Sequence, residues 1–209
     1  MPQTLVRSAA DAHVYRIAVE ILVGGGLVAF PTDTVYGLGS LVGDGGAVER
    51  IYAAKERHLE KAIPVLLGVV DDLGRVTAAI TPLAEKLARR FWPGPLTLVL
   101  PKNPILPEAV SSGKTVGVRI PDHPVALSLL RQAGPLAVSS ANRSGSASPC
   151  TADEVLQQLD GRIDLLIDGG RTPGGCPSTV VDCLGPDPQI LRAGPITLDQ
   201  LLGALGRNF

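Results

Sequence analysis

Aromatic side chains are scarce in this sequence: one tryptophan, three tyrosines and three phenylalanines among 209 residues. The core must therefore be aliphatic, and the stacking platforms that single-stranded nucleic acid binders offer to bases are few. Cysteine is equally sparse. Cys150, Cys176 and Cys183 are odd in number and lack the paired spacing of a zinc site or a redox C-x-x-C, a usage that suits a reducing cytosol. His13, His58 and His123 are scattered, and neither a Ser-His-Asp set, a zinc-type cluster nor a glycosidase-like carboxylate pair stands out. Charge of one sign is lacking too: the formal net charge is -1 and the pI is about 6.3, which argues against a protein that coats DNA or RNA while leaving room for a local basic pocket. The most apolar run, residues 17–30, is broken by Glu20 and three glycines, so it reads as neither a secretory signal nor a membrane span. The expected location is the cytoplasm.

What is present is 45% apolar residues with 24 glycines and 18 prolines, an ordinary globular balance with many tight connections. No repeat, linker or composition break divides it, so residues 1–209 are read as a single domain. Ser8 and Asp11 look like a helix entry, with Val14, Ile17, Ala18, Ile21 and Leu22 at helical spacing until Gly24. A strand is predicted over 27–30, ended by Pro31, which cannot donate a ladder hydrogen bond and is placed at a sheet edge or mouth. Gly37 and Gly39 are read as turning the backbone away. A second helix with Val48, Ile51 and Tyr52 inward delivers Lys55 and Arg57. Further strands are predicted over 64–70, 96–100, 115–120, 136–138, 165–167, 179–181 and 189–191. Helices are predicted after Thr81-Pro82, from Pro124 to about Gln132, after a Thr151/Glu154 capping box, and after Thr197. Helices and strands alternate early and strands cluster late, so the fold class is α/β with a twisted mixed sheet and flanking helices.

The candidate site residues lie where predicted strands end. Thr32, Asp33 and Thr34 crowd hydroxyls and a carboxylate at the carboxyl end of a buried strand, where α/β proteins usually hold small ligands. Lys55 and Arg57 are two apart; in an extended segment they aim a point charge and a planar fork at one site, such as phosphate oxygens, and at a helix end they are solvated cations favoured by the dipole. Both are read as partly exposed. Ser140 and Asn142 repeat the two-residue spacing, either as functional groups or as an Asx or Ser turn. Strand alternation turns Thr115 and Arg119 to one face. Gly113-Lys114-Thr115 is not a Walker motif, because Glu108 stands where its first glycine belongs. The glycine-rich loop 169–175 leads into a strand, so a flexible lid is expected rather than a Rossmann turn. Hydroxyls, an amide, Lys and Arg bind and orient anions, which fits phosphoryl or nucleotidyl transfer by positioning better than hydrolysis by an activated nucleophile.

Seven stretches, in order, resemble the YrdC family of threonylcarbamoyl-AMP synthases over nearly the whole chain: F-P-T-D-T-V-Y-G-L-G at 30–39, K-E-R at 55–57, W-P-G-P-L-T at 92–97, T-V-G-V-R-I-P at 115–121, S-S-A-N-R-S-G at 139–145, S-T-V-V-D at 178–182 and L-R-A-G at 191–194. The resemblance implies a twisted sheet around a deep, positively lined cavity. It implies synthesis of threonylcarbamoyl-adenylate and diphosphate from L-threonine, bicarbonate and ATP, with Mg2+ accompanying ATP. The product serves N6-threonylcarbamoylation of adenosine 37 in tRNA, through downstream threonylcarbamoyl transferase proteins. By the same resemblance Thr32, Arg119, Ser140 and Ser178 would hold threonine and bicarbonate, and Lys55, Thr115, Asn142, Cys150 and Arg192 would hold ATP. Lys55 and Arg57 would be catalytic, completing a K-x-R and S-x-N tetrad with Ser140 and Asn142. No protein metal ligand is implied, and a weak direct contact with tRNA is left open.

The chain departs from the family pattern at His58, where proline is common, at Cys150, where a threonine is usual, and at Ala193 in place of the proline of L-R-P-G. Ending at residue 209, it is expected to be the single-domain form without the extra C-terminal domain of longer members. Two other readings compete: a carbamoyl-adenylate forming domain of the hydrogenase-maturation type, and a non-catalytic double-stranded RNA or tRNA binding module.

Overall fold

The computed structural model describes residues 3–58 and 61–207. Its first half runs β1 (Leu5–Ser8), α1 (Val14–Val23), β2 (Val28–Phe30), β3 (Gly37–Leu41), α2 (Gly45–Lys55), β4 (Val65–Leu66), a 3-10 turn (Val70–Asp72), α3 (Leu73–Val76) and α4 (Pro82–Phe91). The second half runs β5 (Leu96–Pro101), β6 (Thr115–Arg119), α5 (Pro124–Ala133), β7 (Leu136–Ser140), α6 (Ala152–Leu159), β8 (Leu165–Asp168), β9 (Thr179–Asp182), β10 (Gln189–Arg192) and α7 (Leu198–Ala204). All ten strands form one sheet in the order β1-β8-β2-β3-β7-β4-β6-β5-β9-β10. Parallel pairs such as β2 with β8 and β5 with β9 alternate with antiparallel pairs such as β3 with β7 and β5 with β6. The sheet is mixed, as the sequence predicts.

Side-chain alternation along the strands builds a core on each face. Val28 and Phe30 of β2 pack with Val14, Ala18 and Leu22 of α1 and with Leu129 and Leu130 of α5, while Ala29 faces the opposite way. That opposite face holds Ile51 and Tyr52 of α2, Leu87 of α4, Val155 of α6 and Leu201 of α7. Phe30 and Leu22 are wholly buried, each contributing roughly 1.5–3 kcal/mol of apolar transfer. Side-chain caps start the later helices: Thr81 accepts from Ala84 N, and Thr197 makes a reciprocal capping box with Gln200. Thr151 likewise accepts from Glu154 N, but the Glu154 carboxylate turns to Cys150 N at 2.6 Å, so the expected box is only half present.

Several sequence expectations need correction. Gly37 and Gly39 do not turn the chain away; they lie within β3, paired between β2 and β7. A Cβ at Gly37 would fall 2.7 Å from Val138 Cγ1, so close strand packing, not turn geometry, requires the glycine. Pro31 ends β2 at the mouth of a central strand rather than at an edge. The predicted strand over 64–70 shrinks to Val65–Leu66, because the chain turns at Gly68 to pass under α5, where a Cβ would meet Arg131 N at 2.7 Å. α1 begins at His13 without a side-chain cap, and Asp11 only accepts from His13 N.

Candidate functional site

Strand ends converge on an open-mouthed cavity of about 150 Å³. β2 delivers Thr32 and Thr34, β6 ends in Arg119, and β7 ends in Ser139 and Ser140. Thr97 of β5, Ser178 just before β9, Arg192 of β10, and Arg57 beyond α2 complete the polar lining. Of the residues singled out in the sequence, Thr32, Thr34, Arg57, Arg119, Ser140, Ser178 and Arg192 line this cavity.

Arg119 is 5% exposed and is held by three groups. Its Nε donates to Gly94 O at 2.9 Å, Nη1 donates to Thr34 Oγ1 at 3.1 Å, and Nη2 pairs with Asp33 Oδ1. A guanidinium carries five N–H groups, so two are left for a ligand carboxylate. Asp33 and Thr34, to which the sequence assigned no role, thus fix the fork that the sequence did single out. Thr32 lines the cavity with a spent hydroxyl: Oγ1 donates to Val35 O at 2.7 Å and accepts from Thr34 N at 3.2 Å and from the Thr34 hydroxyl at 2.9 Å. It shapes the turn more than it offers a bond.

Across the cavity, Arg192 donates through Nε and Nη2 to Ser178 O at 3.1 and 2.8 Å, and through Nη2 to Ser178 Oγ at 3.1 Å. Ser178 Oγ also shares a hydrogen bond of 2.8 Å with Thr97 Oγ1. Arg57 donates to Ser139 Oγ at 3.3 Å and to the carbonyls of Lys61 and Ala62, lies over the Tyr52 ring at 5.9 Å, and leaves its buried Nε without a partner among the described residues. Burial lowers the Arg57, Arg119 and Arg192 guanidiniums from their ordinary value. Arg57 adds to the depression of Arg192, and Arg192 to that of Arg119, which Asp33 opposes. These cations repel one another across a shared space, and an anion placed there relieves all of them.

Lys55 departs from expectation. It is not partly exposed but 1% exposed, the last residue of α2, with Nζ donating to Ser140 O and, at 2.5 Å, to Asn142 O. Desolvation, assisted by Arg57, lowers its pKa to about 7. Lys55 therefore ties the Ser140–Asn142 loop to α2 instead of pointing freely into the cavity, and Ser144 N closes the same tie onto Lys55 O at 2.7 Å. Asn142 directs Nδ2 to Arg143 O and Ser146 O and leaves a buried Oδ1 without a partner among the described residues. Thr115 is half-buried at the far end of β6, paired with Pro101, and is not in the cavity lining. The thiol of Cys150 is not in the lining; its backbone N–H binds Glu154 and its carbonyl accepts from Thr172 N at 2.9 Å.

The loop expected to be a flexible lid is instead strapped to Tyr36 and the T-D-T turn, outside the cavity lining. Tyr36 Oη donates to Gly170 O at 2.7 Å and accepts from Gly169 N at 3.2 Å, and Gly175 N donates to Thr34 O at 2.9 Å. Burial raises the Tyr36 phenol to about 12, so it remains a donor at neutral pH. Gly174 passes so close that a Cβ would sit 2.5 Å from Asp33 O. Among the described residues no group of three or more His, Cys, Asp and Glu side chains is placed to hold a metal ion.

Residues 20–194 match the protein family described as telomere recombination, which groups Sua5, YciO and YrdC. The chain belongs to this family. It is 42% identical over 203 residues to the threonylcarbamoyl-AMP synthase of Pyrococcus abyssi, covering 96% of this chain and 60% of that protein. It is 43% identical over 192 residues to the threonylcarbamoyl-AMP synthase of Bacillus subtilis, covering 90% and 56%. The crystal structure of P. abyssi Sua5 complexed with L-threonine superposes with a TM-score of 0.91 at 40% identity, covering 98% of this chain and 60% of that one. The chain thus spans about three fifths of the length of these relatives. The YrdC-like fold implied by the seven motifs is the fold observed.

Proposed function

We propose that this chain joins L-threonine, bicarbonate and ATP into threonylcarbamoyl-adenylate, releasing diphosphate, as a nucleotidyltransferase of tRNA threonylcarbamoylation. The observation that carries the reading is the convergence of Arg57, Arg119 and Arg192 on one cavity edged with serine and threonine hydroxyls, a site built for more than one anion. The likeness to a Sua5 that binds L-threonine supports the same ligand here. The two unspent N–H groups of Arg119 suit a substrate carboxylate, with the Ser178 and Ser140 hydroxyls beside it. Arg57 and Arg192 face the side where phosphate oxygens gain charge.

In the chemical step the threonine amine and bicarbonate condense to a carbamate with loss of water. A carbamate oxygen then attacks the α-phosphorus, forming the mixed anhydride as the bond to diphosphate breaks. No side chain needs to abstract a difficult proton; positioning and charge stabilisation supply the rate. Mg2+ is part of the substrate as MgATP, carried by phosphate and water oxygens. Asp33 pairs with Arg119 through Oδ1, leaves a buried Oδ2 without a partner among the described residues, and is not counted as a metal ligand. The Asn142 Oδ1 is an acceptor suited to a nucleotide hydroxyl or amine. We place the chain in the cytoplasm on its cysteine usage; no helix among the described residues is long and apolar enough to cross a membrane.

The test is conversion of ATP to adenylate and diphosphate with threonine and bicarbonate each added or withheld. Threonine-dependent product is expected. Product formed equally without threonine would sink this reading in favour of carbamoyl-adenylate synthesis, and no ATP turnover would favour a binding module.

A further inference from the structure

Between Lys55 and Arg57 lies Glu56, the only non-glycine residue with positive φ among the described residues, at φ 52 and ψ 46. Glycine takes this left-handed helix-ending conformation without strain, and a residue with a Cβ does not. The Glu56 side chain, 55% exposed, turns away from the cavity, and its Oε1 accepts from Arg143 Nη2 at 2.5 Å and Arg162 Nη1 at 2.9 Å. Arg143 directly follows Asn142, and its backbone N–H is fixed by Gln158 Oε1 at 3.1 Å. The carboxylate therefore bridges the K-E-R turn to the loop that carries Ser140 and Asn142, in addition to the Lys55 tie. Hydrogen bonding from Arg143, with the charges of both arginines, holds the Glu56 carboxyl below its ordinary value, so it stays ionised at neutral pH.

An exposed ion pair contributes little to folding, and the backbone strain at the same residue opposes folding. Stability alone does not account for glutamate here. We propose that Glu56 is a positioning residue for the nucleotide end of the site: by drawing Arg143 onto the K-E-R turn, it sets the spacing between Arg57 and Asn142 that the phosphates of ATP require, while Ser140 stays fixed by its ladder pairing with Gly37. This rests on the adenylate-forming reading above. It goes beyond that reading in giving the middle residue of the motif, which touches no substrate, a selective effect on one substrate.

The experiment compares the full chain with Glu56→Gly, Glu56→Gln, Arg143→Ala and the Glu56→Gly/Arg143→Ala double variant. KM is measured for ATP and for threonine, binding of a non-hydrolysable ATP analogue by calorimetry, and stability by urea unfolding. Glu56→Gly is expected to raise KM for ATP and the Kd of the analogue about fivefold or more, with KM for threonine unchanged and the urea midpoint unchanged or higher. Glu56→Gln and Arg143→Ala should give the same split, and the double variant should be no worse than the worse single, as expected for residues acting as one unit. Unchanged analogue binding in Glu56→Gly, or additive losses in the double variant, overturns the proposal. So does a fall in midpoint with equal rises in both KM values, which would make Glu56 merely structural. If the wild-type chain makes no threonine-dependent product, the functional reading fails by itself, and the calorimetric comparison still decides whether Glu56 positions the loop.

Discussion

Lys55 carries a charge that the fold makes conditional. Its amine titrates near 10.5 when free and near 7 in the folded chain, with desolvation as the main cause and Arg57 adding to it. Between those values the unfolded chain holds a proton that the folded chain has released, so this group makes stability rise with pH from about 7 to 10.5. Below pH 7 the full penalty of burying the ammonium is present. A neutral amine still has two N–H groups for the Ser140 and Asn142 carbonyls, so the tie survives deprotonation. A polyphosphate near this loop favours the charged form and raises the pKa again. ATP binding at pH 8 is therefore expected to take up about one proton, and affinity should decline as pH rises from 7 to 9. Calorimetry in two buffers of different ionisation enthalpy measures the uptake, and Lys55→Met should abolish it. Equal apparent enthalpies in both buffers would show that Lys55 does not sense the nucleotide. The sequence located Lys55 but not its burial: K-E-R reads as a helix end followed by solvent, and nothing local reveals that Ser140 and Asn142, more than 80 residues later, turn their carbonyls onto it.

At the scale of elements, what could be read depended on whether a feature is local. Most of the helices announced themselves by spacing and caps, and β2, β5, β6 and β7 by short apolar or alternating runs, whereas the four-residue α3 was missed and the Ser8 read as a helix entry ends β1. β3 did not, because G-L-G-S-L looks like a turn when its glycines in fact admit the Val138 and Phe30 side chains. The anchoring of the 169–175 loop was hidden for the same reason: Gly169 and Gly174, which suggest freedom, are there for close contact. Gly174 and Gly185 separate the two roles. A methyl at Gly174 would lie 2.5 Å from Asp33 O and 2.9 Å from Thr34 Cα, both backbone atoms that cannot swing aside, whereas at Gly185 nothing lies within 4 Å. Gly174→Ala is expected to destabilise by roughly 1–3 kcal/mol as the strap is forced off the T-D-T turn. It should also raise KM for threonine about tenfold by disturbing Asp33 and Thr34 beneath Arg119. Gly185→Ala should change neither by a measurable amount. Urea unfolding and steady-state kinetics on the two variants decide this, and similar behaviour of both would mean that the strap does not hold the site.

The whole molecule hangs on one continuous ladder, and the cavity draws on both of its halves. Thr32, Thr34 and Ser140 come from the β2-β3-β7 side, and Arg119, Thr97, Ser178 and Arg192 from the β6-β5-β9-β10 side. Among the described residues the short β4, which pairs with both β7 and β6, is the only strand joining the sides, yet the core packed across Leu38, Val65, Leu98 and Val118 is continuous. Two outcomes compete: the halves melt separately at the thin β4 seam, or the shared core makes them one unit. The core wins on magnitude, since each wholly buried leucine or valine contributes roughly 1.5–3 kcal/mol, while one two-residue ladder contributes only a few net hydrogen bonds of about 1 kcal/mol each. The chain should therefore unfold in a single transition. Trp92, the sole tryptophan, donates Nε1–H to Leu96 O at 2.6 Å and reports on the β5 side, whereas far-ultraviolet circular dichroism reports on all elements. Their midpoints are expected to coincide. Because the cavity draws its lining from both sides of the seam, the proposed function predicts that threonine with an ATP analogue at about a hundred times their dissociation constants raises both midpoints together, by about 2.7 kcal/mol for each independent site. In a chain of this size that is roughly 5–11 °C per site. Fluorescence melting ahead of circular dichroism, or a ligand shift seen by one probe alone, would show that β4 is a hinge between two separately folding halves.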